Sequence, residues 1–399
     1  MRNSKATGNN KFLKELNETV LLDLIRTNKL ISKADLALIT GLSPTATGMI
    51  VSKLLEKQYI EEGGIGESSG GRRPLLYQLR PMSYFSLGID IDDDYIRYIL
   101  MDIQGTIVHN EKDLNEYTTV EQTLSAILYK YNAIVAKFEI AQDRMIGVGI
   151  SVPALVDSES QRIVLAPNLG WKDIDINSAI NLKVPIHVEN EAMSTAICEN
   201  WLGSCVDERN FICINMKSGI GSSIFANGAL LRGCCGSAGE IGHIMVDQNG
   251  EKCACGNYGC LETFVSVKKI VHRAQTLARQ GILQIENYTD DVNNLTYQDI
   301  ITAAGDGSEA ARLILLEAAG YLAMAISNVI NTVNPSKIVL GKELAKMTLV
   351  MDHIRDIVNT KALSYPASRA TIVTSSIGED VSCLGAAIIP LKKLFGYQI

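Results

Sequence analysis

Two tight blocks close together decide how this chain reads: GEIGHI at 239–244 and CACGNYGCLE at 253–262. Cys253, Cys255 and Cys260 fall within eight residues of one another. Nine cysteines in 399 residues are too few for a disulfide-dense scaffold, so close spacing points to a metal. With His243 the set offers one nitrogen and three sulfurs, which suits tetrahedral zinc. Four protein ligands leave no coordination position open, so the expected Zn2+ is structural: it braces a loop and does not catalyse. Cys198, Cys205, Cys213 and Cys383 stand alone in apolar surroundings and read as core residues.

Working outward, strands are expected at 210–215 and 222–225, closed by a hairpin at Asn227-Gly228, a pair that favours tight β-turns. Downstream, a long apolar helix at 310–333 precedes a strand at 337–340. A similar block lies upstream, with a hairpin of strands at 85–91 and 95–101 and buried strands at 145–151 and 186–189. Two α/β blocks in tandem predict two lobes with a cleft between them.

The first eighty residues differ. They carry 12 Lys/Arg against 8 Asp/Glu, whereas the remainder carries 25 against 36. A mildly basic head on an acidic body fits a DNA-reading module joined to another domain. Val20, Leu21, Leu24 and Ile25 repeat at helical spacing, Ser32 caps a second short helix that ends at Gly41, and Ser43-Pro44 opens a third that runs to about residue 57. In that third helix Thr47, Ile50, Val51 and Leu54 face inward, leaving Thr45, Gly48, Met49 and Ser52 outside. Two short helices joined by a glycine turn form the helix-turn-helix pattern, whose second helix enters the major groove. Strands at 59–62 and 75–79 make a wing, whose loop GGIGESSGGRRP offers Arg72 and Arg73 to phosphates or a minor groove. The expected DNA-facing set is Ser43, Thr45, Thr47, Gly48, Met49, Ser52, Lys53, Arg72 and Arg73.

GEIGHI with CACGNYGCLE resembles the signature of the ROK family of repressors, open reading frames and sugar kinases. LAPNLGW (165–171), VENEA (188–192), LTYQDIITAAGDG (295–307) and NPSKIVLG (334–341) resemble its other blocks in order, and the head with SSGGRRP resembles its repressor branch, xylose-repressor-like members in particular. The resemblance covers almost the whole chain. It implies a winged helix-turn-helix at 1–80 plus a two-lobed actin/hexokinase-like domain, with one lobe at 84–200 and the second at 201–399, whose C-terminal helix returns to the first. It also assigns sugar contacts to Asn168, Asn190, Glu240, His243 and Glu262, with Glu191 beside them.

Two departures separate this chain from the family's kinases. Their first hairpin carries Asp-x-Gly-Gly-Thr, whose bare backbone amides approach the phosphates of ATP. Here the run is Asp90-Ile91-Asp92-Asp93-Asp94, which brings carboxylates to a polyanion. Where the kinases place a catalytic Asp after the Asn, this chain has Glu191, and a displacement of about 1 Å costs on the order of a hundredfold in rate. In the block 217–223 only Gly219 and Gly221 remain, and Lys342 follows Gly341 where the kinases usually show another glycine. ATP is therefore not expected to bind. The expectation is a sugar-responsive repressor, a homodimer or tetramer on operator DNA, released when a sugar, a pentose such as xylose first, closes the lobes. The alternatives are a bifunctional ATP-dependent sugar kinase with a DNA-binding head, and a body that only dimerises or binds protein. A polar first ten residues and the lack of an apolar run of about 18 to 20 residues predict a cytoplasmic protein with no membrane partner.

Overall fold

The computed structural model describes residues 10–67, 73–216, 219–285, 287–341 and 348–397. These form two compact units, Met1–Glu189 with Cys383–Ile399, and Asn190–Ser382.

The first unit opens with α1 (Asn10–Asn28), β1 (Ile31–Ser32), α2 (Lys33–Thr40), α3 (Pro44–Glu56), β2 (Ile60–Ile65) and β3 (Leu75–Leu79). The serine signals act as read. Ser32 Oγ accepts from Asp35 N at 3.1 Å, and Ser43 Oγ accepts from Ala46 N at 3.2 Å with Pro44 at the first helical position. Gly41 ends α2 at φ 69°, a left-handed value that glycine adopts without strain, and α2 and α3 meet at a bend of 120°. The three strands pair in the order β1-β3-β2, and Leu21, Ile25, Leu36, Val51, Leu54 and Ile60 fill the small core beneath them.

Besides the donation from Gln104 Nε2 to Leu79 O at 2.8 Å, the head is pinned to the rest of its unit at two places. Tyr59 stacks on Tyr84 with ring centroids 4.3 Å apart, and Tyr84 Oη donates to Lys57 O at 2.9 Å. Arg144 donates to the same carbonyl and to Gln58 Oε1. At the other place, Tyr397 Oη donates to Asp23 Oδ2 at 2.8 Å and accepts from Arg26 Nη2 at 3.1 Å.

Below the head lies a five-stranded sheet. Its strands β4 (Phe85–Ile91), β5 (Tyr95–Asp102), β6 (Ile107–Leu114), β7 (Met145–Val152) and β11 (Ile186–Asn190) run in the order β11-β7-β4-β5-β6. A smaller sheet of β8 (Leu155–Asp157), β9 (Arg162–Ala166) and β10 (Trp171–Asp175) adjoins it in sequence. Helix Val381–Leu394 packs so closely on the large sheet that a Cβ at Gly88 would overlap Cys383 O and one at Gly149 would overlap Ala386 O. Ser86 Oγ donates to Ala387 O at 2.6 Å.

The second unit has its own five-stranded sheet, β12 (Phe211–Met216), β13 (Ile220–Ala226), β14 (Ala229–Leu230), β15 (Lys337–Leu340) and β16 (Thr371–Thr374), in the order β14-β13-β12-β15-β16. Asn227 and Gly228 both take positive φ, 56° and 83°, as a type I′ turn requires. Helix Glu309–Val333 forms the middle of the core. By length and composition it is apolar enough to cross a membrane, yet most of its apolar window is buried inside the unit, which is what a central core helix shows.

Candidate functional site

In the second unit, the residues of the two signature blocks come together. Ile241–His243 is a single 3-10 turn, and Glu262 starts the short helix Glu262–Val265. Donor atoms of His243, Cys253, Cys255 and Cys260 all lie within 4.8 Å of one another. Cys255 Sγ and Cys260 Sγ are 3.7 Å apart, and Cys253 Sγ is 3.7 Å from His243 Nδ1. With metal–sulfur bonds of about 2.3 Å, tetrahedral geometry puts thiolates about 3.8 Å apart, so this donor set fits a metal ion. Backbone packing shapes the loop: a Cβ at Gly259 would overlap Asp247 O, and one at Gly250 would come within 2.7 Å of Gly259 Cα. The backbone N–H of Asn257 lowers the Cys255 pKa, while burial pushes Cys260 up to about 12.

Glu262 touches this cluster and a neighbouring strand at once. Its Oε1 lies 3.9 Å from Cys253 Sγ, and its Oε2 accepts from Ile220 N at 3.1 Å. The bare Cα of Gly219 makes room for that carboxylate, which a Cβ there would overlap. The carboxyl of Glu240, three residues before His243, is raised by burial first, with His243 opposing and Glu262 adding to the shift. Asn190 caps helix Glu191–Trp201: its Oδ1 accepts from Ala192 N at 2.8 Å and Met193 N at 3.3 Å. Glu191 is half-buried in the first turn of that helix, where the helix dipole favours a carboxylate. Asn168 stands exposed in the turn between β9 and β10 of the first unit.

The β4–β5 turn is acidic. Asp90 is buried and accepts from Tyr95 Oη at 3.1 Å. Asp93 is pushed up to about 6, first by a hydrogen bond to Asp92, then by burial and the charges of Asp92 and Asp94. Such an upward shift is the response of like charges forced together. Lys217, Ser218 and Lys342 lie outside the described residues.

On the head, Ser43, Thr45, Met49, Ser52, Lys53 and Arg73 are exposed, Met49 at 70%, and Gly48 is partly so. Thr47 is a correction. It is fully buried with its hydroxyl unpaired, because its place in α3 turns it toward the small core with Val51 and Leu54, and it is not on the outer face. Lys53 is exposed but ion-paired with Glu18 of α1. Arg72 lies outside the described residues.

Sequence reasoning missed three features here. Gly219 makes room for Glu262 and is not only a phosphate-loop remnant, the Ile220 N–H contact to Glu262 joins residues 42 apart in sequence, and the adjacent thiols of Cys234 and Cys235 are exposed.

Comparison with known proteins places these residues in a family context. The xylose repressor of Bacillus subtilis is 33% identical over 381 residues, covering 95% of each chain. The transcriptional dual regulator NagC of Escherichia coli is 28% identical over 397 residues, covering 98% of this chain and 96% of NagC. Among solved structures, a ROK family transcriptional regulator described as a homologue of the E. coli Mlc protein superposes with a TM-score of 0.84 at 26% identity, covering 96% of each chain. A ROK glucokinase from Streptomyces griseus, solved with glucose and AMPPNP, gives a TM-score of 0.65 at 26% identity; it is covered over 98% of its length but spans only 76% of this chain. The ROK family model matches residues 86–393. The chain therefore belongs to the ROK family, and its body has the actin/hexokinase-like fold of that family.

Proposed function

We propose that this chain is a sugar-responsive transcriptional repressor. One observation carries the reading: relatives named as repressors match it along nearly their whole length and its own, whereas the kinase aligns with about three quarters of it. The additional length is accounted for by a head of three helices and three short strands. In this reading the head is a winged helix-turn-helix whose α3 enters the major groove through Thr45, Gly48, Met49 and Ser52, while Arg73 on the wing contacts the backbone. A homodimer or tetramer would present two such helices to a palindromic operator.

In the body, Asn190, Glu191, Glu240, His243 and Glu262 are the proposed sugar contacts. His243, Cys253, Cys255 and Cys260 would hold structural zinc, which supplies a fixed charge and a rigid loop. His243 Nδ1 faces the thiols, so ring orientation at the metal also sets where the other ring nitrogen points. The half-buried Glu262 carboxylate, already held by Ile220 N, is oriented to accept from a sugar hydroxyl.

The test selects double-stranded DNA from a random pool with the full-length protein, then titrates monosaccharides against the selected site. The expected result is a palindromic sequence whose affinity falls with one sugar and falls steeply with salt. Enrichment of no sequence would reject the repressor reading. The similarity to the glucokinase favours one competing reading, a kinase that also binds DNA. Coupled assays should detect no turnover in the parent or in Glu191→Asp, because restoring the base leaves the acidic turn in place. Turnover near the common enzyme scale of about 10 s⁻¹ in either protein would establish the kinase instead.

A further inference from the structure

Nine cysteines can be sorted by surroundings. Cys198, Cys205, Cys213 and Cys383 are buried, and for the first three burial pushes the thiol well up, Cys205 to about 12. Cys253, Cys255 and Cys260 belong to the metal-type cluster. That leaves Cys234 and Cys235, adjacent in sequence and both exposed, with no part in anything described above.

They sit on a small closed loop. Ala238 N donates to Arg232 O at 3.1 Å, which ties the loop's two ends together, and Gly239 and Glu240 of the signature block follow at once. Ser237 Oγ lies 3.0 Å from Cys235 Sγ, where its O–H donates to a thiolate. That hydroxyl, and then the neighbouring Cys234 thiol, lower the Cys235 pKa. A thiolate is the nucleophile in thiol chemistry, and exposed thiols of lowered pKa are the ones that react.

We propose that Cys234 and Cys235 form a reversible thiol switch that hydrogen peroxide closes to a disulfide between neighbouring residues, on the loop leading into Glu240 and His243. The Cys235 thiolate attacks one peroxide oxygen; the O–O bond breaks, hydroxide leaves and takes a proton to become water, and the sulfur is oxidised to a sulfenic acid. Cys234 then attacks that sulfur, the S–O bond breaks, a second water leaves with the thiol proton, and the S–S bond forms. Both electrons come from the thiol pair and reduce one peroxide to two waters. Neighbouring Cα atoms are about 3.8 Å apart, short of the roughly 4.4 to 6.8 Å of ordinary disulfides, so the product is strained. Strained, exposed disulfides are the easily reduced, regulatory kind, so a small dithiol resets the pair. The chemistry stands without the repressor reading; its consequence for effector binding rests on that reading.

The test uses full-length, metal-loaded protein. A chromogenic disulfide reagent should find two fast thiols, reacting at least about tenfold faster than any others, and the Cys234→Ser/Cys235→Ser variant should lose both. After stoichiometric peroxide, mass spectrometry should show the peptide bearing both residues lighter by one hydrogen pair, restored by dithiothreitol, with no metal released to a chelating dye. Hydrogen exchange at residues 238–244 should change on oxidation and return on reduction. First oxidation at Cys253, Cys255 or Cys260 with metal release, a product that stops at sulfenic or higher acids, or fast thiols elsewhere would each overturn the site. Disulfide formation with unchanged exchange at 238–244 would overturn the switch.

Discussion

The turn between β4 and β5 and the loop from His243 to Cys260 are both landmarks of the ROK body, and different forces shape them. In the loop, backbone crowding dictates residues: Gly242, Gly250 and Gly259 stand where a Cβ would press on Ile220 O, Phe264 or Asp247 O, and four donor side chains converge. In the turn, Asp92 and Asp93 stand where the resemblance places the kinases' glycines, and the Asp93 N–H donates to Asp92 Oδ1 at 2.8 Å. Each close like-charge contact with a phosphate would cost about a kcal/mol or more. The loop brings together a donor set that fits a metal ion, whereas the carboxylates of the turn do not suit a polyanion. The difference teaches that backbone crowding and converging donors constrain the loop, whereas charge dominates the turn.

The largest effect should come from the loop. Stripping the metal by chelation, or Cys260→Ser, removes a ligand set whose assembly is linked to folding. We expect bound metal to be lost, melting to fall by several °C or more, and sugar-induced stabilisation to disappear with it. Elemental analysis and a melting curve on the same sample check this. Zinc-free protein that melts unchanged and still responds to sugar would place the loop on the same footing as the turn and break the comparison.

Gly219→Ala should give the next effect. The new methyl overlaps Glu262 Oε2, so the carboxylate must move and lose Ile220 N. A displaced Glu262 carboxylate would lose its own charge-assisted hydrogen bond to the effector, worth roughly 1.5 to 3 kcal/mol, so effector affinity should drop about ten- to a hundredfold. Calorimetry with the sugar found in the effector titration measures it. Unaltered affinity would remove Glu262 from the sugar site and leave Gly219 as a remnant of the phosphate loop.

Much of this was legible in the sequence, and for physical reasons. The caps at Ser32 and Ser43, the Asn227-Gly228 turn and the metal-type ligands are local chemistry, decided within a few residues. The short sheet of β8, β9 and β10 was not legible, because three- to five-residue strands carry too little alternation to register. Thr47 carries two readings in the sequence, inward by its helical spacing with Val51 and Leu54 and toward DNA by its polar side chain, and the fold buries it. Lys53 is paired with Glu18 from another helix, 35 residues away, and no local pattern announces such a contact. The role of Gly219 is hidden for the same reason, since its neighbour Glu262 comes from a distant segment.

The smallest effect, and the one that tests the turn directly, is Asp93→Asn. Asp93 titrates near 6 in the folded protein against an ordinary value of 3.8. Between those two values the folded state holds a proton that the unfolded chain has released, so stability falls as pH rises from about 4 through about 6. Below pH 4 both states are protonated and the penalty is absent; above pH 6 the folded turn carries adjacent carboxylate charges and the penalty is complete. Asparagine keeps the shape and removes the charge. The side chain is only partly enclosed, so solvent screens the repulsion and the gain should stay below about 1 kcal/mol at pH 7 to 8. That amounts to no more than about 2 °C in melting temperature. The gain should shrink to nothing near pH 4, where the parent turn is already protonated. Melting curves of parent and variant from pH 4 to 8 measure the difference. A gain of the same size at every pH would mean the substitution acts through packing, and the like-charge account of the turn would fail.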